Sequence, residues 1–179
     1  MNIDKLLPYE HKINFYFYDF EKALELSGKI GIKVFSGVEL SYKGTDFLVY
    51  GLDKEWYLCH PEIMEMEKCK ELEFMMNCGA LVIQAHPYRE DSYIDHIRLY
   101  PRSVHGVEVI NANRTDFENE MASHYAENYG LFMRGGSDNH MGGKQRKLAG
   151  ISFEQPIMSV NDFISGIKKG KSKIFTQII

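Results

Sequence analysis

The 179-residue chain is short of several things, and each shortage removes a class of protein. It has three cysteines, Cys59, Cys69 and Cys78, which form neither a C-x-x-C pair nor an even set. A zinc ribbon and a secreted disulfide scaffold are therefore not expected, and reduced thiols in a cytoplasmic protein are. No apolar run approaches the length that spans a bilayer, and the opening MNIDKLLPYEHK lacks the apolar core of a signal peptide. No excess of positive charge is present either: 21 Lys and Arg stand against 25 Asp and Glu, a formal net charge of -4. The one dense basic cluster, Lys168, Lys169, Lys171 and Lys173, reads as the solvated end of a helix, where cations complement the carbonyl dipole. No face for duplex nucleic acid and no membrane partner are expected. Linkers and repeats are missing as well, and 44% hydrophobic residues suffice for a core, so residues 1–179 are taken as one domain.

What is present alternates between two periodicities. Phe20, Ala23, Leu24 and Ile30 recur at helical spacing after Asp19 and before Gly31, which predicts a helix over 19–30. Apolar runs at 32–35 and 46–50 predict strands, and the Glu, Met, Lys and Leu-rich segment 61–78 predicts a helix opened by Pro61. Strands follow at 80–84, 106–110, 131–134, 148–153 and 172–175, with helices at 116–129 and 160–169. Such alternation predicts an α/β fold with a largely parallel sheet, open or closed into a barrel.

In a parallel βα fold, chemistry gathers at the carboxyl ends of the strands. Four expected strands lead into polar residues of the right kind: Glu39 after Gly37-Val38, His86 in Ala85-His86-Pro87, Asn111, and Asp138 with His140 in Ser137-Asp138-Asn139-His140. Singly each has an ordinary reading. His86 fits a core histidine, Asp138 an Asx-turn, and Glu39 a solvated carboxylate. Structural residues have no reason to respect four successive strand ends, and that coincidence favours a site. Two carboxylates and two imidazoles suit Zn, Mn or Fe and leave coordination positions open for water, which is a catalytic arrangement. Arg89, three residues past His86, is a candidate phosphate fork, and Asn111 a second substrate contact. His60, His96, His105 and His124 fall outside the pattern, and Met64, Met66, Met75 and Met76 read as core.

Gly37-Val38-Glu39, Ala85-His86-Pro87-Tyr88-Arg89, Glu108-Val109-Ile110-Asn111 and Gly136-Ser137-Asp138-Asn139-His140 together resemble the PHP (polymerase and histidinol phosphatase) superfamily, in that family's order. The resemblance implies a distorted, TIM-like βα barrel holding one to three divalent metal ions and hydrolysing phosphate esters with a metal-bound water. Glu39 would be a bridging ligand, and His86, Asp138 and His140 would be ligands as well. One departure is plain: the family's opening H-x-H is absent from the chain. Its second motif matches only Tyr9-Glu10-His11, which adds His11 as a candidate ligand. The resemblance thus implies a barrel incomplete at its N-terminal strand or strands, with residues 1–18 as an atypical substitute. Segment 6–18, with Phe15, Tyr16, Phe17 and Tyr18, would cover the gap or pack on a second copy as a homodimer. The expected activity is hydrolysis of a small phosphorylated substrate. The alternative is a non-catalytic remnant serving as a metal-binding or assembly module. An amidohydrolase-like barrel ranks third, since it too would carry H-x-H.

Overall fold

The computed structural model describes residues 9–179, with side chains from residue 17 onward. A helix, α1 (Tyr9–Ile30), leads to strands β1 (Val38–Tyr42) and β2 (Thr45–Tyr50), then α2 (Lys54–Cys59), a 3₁₀ turn (Pro61–Glu65) and α3 (Lys68–Asn77). Next come β3 (Leu81–Ala85), β4 (Gly106–Asn111), α4 (Asp116–Tyr129), β5 (Phe132–Gly136), β6 (Lys147–Phe153), α5 (Val160–Lys168) and β7 (Ser172–Ile178). The α/β class agrees with the sequence reading throughout, and the order of elements agrees from β3 onward.

The first third differs. Residues 32–35 form no strand, and Ile32 is 61% exposed. The strand begins at Val38 because a ladder partner is available there: β1 and β2 form an antiparallel hairpin closed by Lys43 (φ 48°) and Gly44 (φ 79°). Positive φ at both turn residues gives the two-residue loop whose twist suits the flanking strands. The helix expected over 61–78 is interrupted. Asp53 caps α2 by accepting from Trp56 N, and Pro61 opens a 3₁₀ turn before α3 starts. Met75 is buried as expected of that segment, whereas Met64 is exposed.

The sheet runs β1-β2-β3-β4-β5. Strands β1, β3, β4 and β5 run in one direction, as the largely parallel expectation requires, and β2 alone runs against them, antiparallel to both of its neighbours. Among the described residues it does not close into a barrel. Strands β6 and β7 form a separate antiparallel pair. A side chain replaces a ladder between that pair and β5: Ser137 Oγ donates to Ala149 O at 2.7 Å and accepts from Ala149 N at 3.0 Å.

One face of the sheet packs Phe47, Val49 and Val82 against Tyr57, Leu72 and Met75, while Val107 and Val109 meet Ala122, Tyr125 and Ala126 of α4. The other face packs Leu81 and Ile83 against Ile164 and Ile167 of α5. A reciprocal capping box of Thr115 and Glu118 starts α4, and Gly130 in the left-handed region ends it. The N-terminal segment is not a substitute strand. Residues from Tyr9 to Tyr18 belong to α1, where Phe17 is buried against Tyr57 with ring centroids 6.0 Å apart. Residues 1–8 and the side chains of Phe15 and Tyr16 lie outside the described residues.

Candidate metal centre

The parallel strands β3, β4 and β5 deliver their carboxyl ends to one edge of the fold. Since β2 runs the other way, its first residues, Thr45 and Asp46, arrive at that same edge. Asp46 stands opposite Ser41 of β1, and Glu39 lies two residues before Ser41 on the same face. The result is a cleft of about 280 Å³ lined by Glu39, Ser41, Gly44, Asp46, His86, Arg89, Tyr93, Asp138 and His140.

His86 follows a strand buried throughout and takes φ 23°, an uncommon backbone for a non-glycine residue. Two hydrogen bonds hold that turn: His86 N donates to Glu108 Oε2 at 3.1 Å, and His86 O accepts from Arg89 N at 2.9 Å. Its Nε2 stands 3.8 Å from Glu39 Oε1 and 3.7 Å from Asp46 Oδ2. One ligand atom from each of Glu39, Asp46 and His86 lies within 4.8 Å of the other two. Burial, followed by the charge of Arg89, lowers the His86 pKa and so favours the neutral ring with a free lone pair. Burial, and then the neighbouring Asp46 and Asp138, raises the pKa of Glu39, since three carboxylates share one small volume.

Asp138, at φ 45°, forms the opposite wall. The D-x-H spacing sends both side chains the same way: His140 Nδ1 is 3.2 Å from Asp138 Oδ1 and 3.1 Å from Asp138 O, with the imidazole 80% exposed. Beneath them Asn111 is fully buried. Its Nδ2 donates to Glu108 Oε2 at 2.9 Å and to Asp138 Oδ2 at 3.3 Å, while its Oδ1 accepts from Asn113 N at 2.9 Å. Asn113 Nδ2 also donates to Asp138 O. With its amide engaged on both sides, Asn111 orients Asp138 instead of facing the cleft as a substrate contact. Glu108, also buried, accepts from both His86 and Asn111 through one oxygen, and burial lifts its pKa to about 7. Its other oxygen lies against Gly136, where any side chain would run into the carboxylate.

Four expected residues, Glu39, His86, Asp138 and His140, thus line one cleft, although Glu39 is the second residue of β1 and does not follow a strand's carboxyl end. Arg89 also lines it, with Nη2 on Asp46 Oδ2 at 2.8 Å and on Gly44 O at 3.2 Å. Tyr9, Glu10 and His11 lie in the first turn of α1, not at a strand end, and the His11 side chain is outside the described residues. Neither Asp46 nor Glu108 is named as a site residue from the sequence, although Glu108 opens one of the stretches that carry the resemblance. Asp46 opens a strand, so a search of strand ends passes over it until the antiparallel pairing is known. Glu108 did carry a signal: it is an isolated carboxylate within the apolar run Gly106–Asn111.

No protein-family model matches the sequence, and no curated protein matches it. Among solved structures the fold is similar to a two-domain protein from Bacteroides vulgatus ATCC 8482 that contains a predicted PHP-like metal-dependent phosphoesterase. The TM-score is 0.66 at 15% identity, over 89% of this chain and 49% of the other. This chain therefore spans about half the length of that protein, and likeness at such identity speaks to the fold alone.

Proposed function

We propose that the chain is a metal-dependent phosphoesterase acting in the cytoplasm on a small phosphorylated substrate, with the ion held by Glu39, Asp46 and His86. The observation that carries this reading is the convergence of two carboxylate oxygens and an imidazole nitrogen within 4.8 Å on a rigid strand edge. The donor set fits Zn, Mn or Fe, and three protein ligands leave positions open. When bound, a divalent ion supplies a water acidified toward neutrality and positive charge for the nonbridging phosphoryl oxygens.

The residues of the chain divide the remaining work. The neutral His86 ring offers its lone pair without first losing a proton. Asp138 and His140 bound the opposite side of the cleft and are candidate ligands for a second ion, with Asn111 fixing the carboxylate. His11 remains a further candidate ligand on the resemblance alone. Beyond Arg89 opens a second hollow of about 560 Å³ bordered by Ile94 and Ile97 and by the carboxylates of Glu90, Asp91 and Asp95, with room for the rest of a substrate. The competing reading is a non-catalytic metal-binding or assembly module, and its assembly form draws support from the Arg89–Asp46 pair, which already neutralises part of the acidic group. Assembly as a homodimer belongs to that reading, and light scattering on the full chain reports it.

Metal analysis of purified protein with a phosphate-ester screen separates the two. Weak hydrolysis that rises with added Mn or Zn supports the enzyme, and bound metal without turnover supports the module. A rate that chelators leave untouched rules out the metal mechanism.

A further inference from the structure

The proposed ion has a rival already in place. Asp46 Oδ2 is the oxygen that faces His86 Nε2 at 3.7 Å, and the same oxygen takes Arg89 Nη2 at 2.8 Å. A second bond from Nη2 to Gly44 O, at 3.2 Å, ties the guanidinium to the β1–β2 turn. Its charge reaches the rest of the group, being one cause of the lowered His86 pKa and a counterweight to burial at Glu39. A cation at that oxygen repels any other cation seeking it.

Arg89 is also incompletely seated. Its Nε is buried with no hydrogen-bond partner among the described residues, a deficit that most buried donors avoid. The Tyr93 ring, 63% exposed on the cleft wall, already lies 5.8 Å from the guanidinium carbon, a contact that does not depend on the bond to Asp46.

We propose that Arg89 is the resident counter-ion of the acidic group in the metal-free chain, that a divalent ion displaces it from Asp46, and that the freed guanidinium then serves as a phosphate ligand. This rests on the reading of Glu39, Asp46 and His86 as a metal site. It makes Arg89 an opponent of metal binding, the reverse of a residue that braces the site.

Mn²⁺ titration of the full chain reads that sign. Arg89→Gln removes the charge and is expected to bind Mn²⁺ about tenfold more tightly than wild type. Its metal-free form should melt lower, since the carboxylates lose their counter-ion. Arg89→Lys keeps the charge and should bind as wild type does. Arg98→Ala cuts the bond from Arg98 Nη1 to Lys43 O, 2.8 Å long, and so loosens the same turn without touching Asp46; it should not bind more tightly. Unchanged or weaker binding by Arg89→Gln overturns the proposal, as does equal tightening by Arg98→Ala, which would mean loosening and not charge. Should Arg89→Gln fail to fold, the wild-type Arg89 Nε–H resonance, assigned by its absence in Arg89→Lys, still decides: it should shift on adding Zn²⁺, and a fixed position overturns displacement. If neither wild type nor Arg89→Gln binds Mn²⁺, the metal-site reading itself fails and takes this proposal with it. Binding by wild type with no gain in the variant sinks this proposal alone.

Discussion

Glu108→Gln tests the wiring beneath the cleft through its effect on pH-dependent stability in metal-free protein. Both donors that reach Glu108, His86 N at 3.1 Å and Asn111 Nδ2 at 2.9 Å, meet the same oxygen, Oε2. A glutamine with its carbonyl there keeps both bonds and sets its amide nitrogen where Oε1 stood, so shape and hydrogen bonding survive while the titration disappears. Burial lifts the glutamate from an ordinary 4.5 to about 7. At about 1.4 kcal/mol per tenfold change in proton affinity, that is about 3 kcal/mol. The folded chain binds this proton more tightly than the unfolded chain does. The stabilisation is therefore complete below about pH 4.5 and is lost as pH rises through about 7. Glu39, also raised, and His86, lowered, titrate in both proteins; burial outweighs the charges of Asp138 and Glu39 in the Glu108 shift, so the difference between wild type and variant reports chiefly Glu108. In EDTA the variant should gain about 3 kcal/mol relative to wild type between pH 4 and pH 8.5, about 6–12 °C in Tm for a chain of this size. Urea denaturation at a series of pH values measures it. Parallel stability curves for the two proteins would show that Glu108 is not a buried, proton-binding carboxylate, and the account of the cleft floor would go with them.

The other predictions concern the cleft itself. His140→Ala should lower metal occupancy more than His124→Ala, because His124 lies on α4 and does not line the cleft; elemental analysis of the two proteins compares them, and equal occupancy removes His140 from the site. Asn111→Ala should weaken metal affinity by about tenfold to a hundredfold, the usual effect of losing a partner that orients a ligand. Calorimetric titration measures this, and an unchanged constant would show that Asp138 needs no such support.

Much of this protein was legible one segment at a time. Helix α4 falls at the expected 116–129, since Thr115, Glu118 and Gly130 specify its two ends through bonds within a few residues. The turns carrying His86, and Asp138 with His140, were found because a strand followed by a polar loop is a local pattern. Other features depended on partners distant in sequence. The strand near Glu39 starts at Val38 because it pairs with β2, which residues 32–35 do not reach. The direction of β2, and with it the arrival of Asp46 beside His86, follows from a two-residue turn in which Lys43 and Gly44 both take positive φ. Asn111 shows the divide most clearly. As a strand-end polar residue it reads as a contact for a substrate, yet burial turns its amide toward Glu108 and Asp138. Residue types and their spacing determine which side chains are able to do chemistry. Strand direction and burial decide which of them face one another, because both depend on what the rest of the chain packs against them.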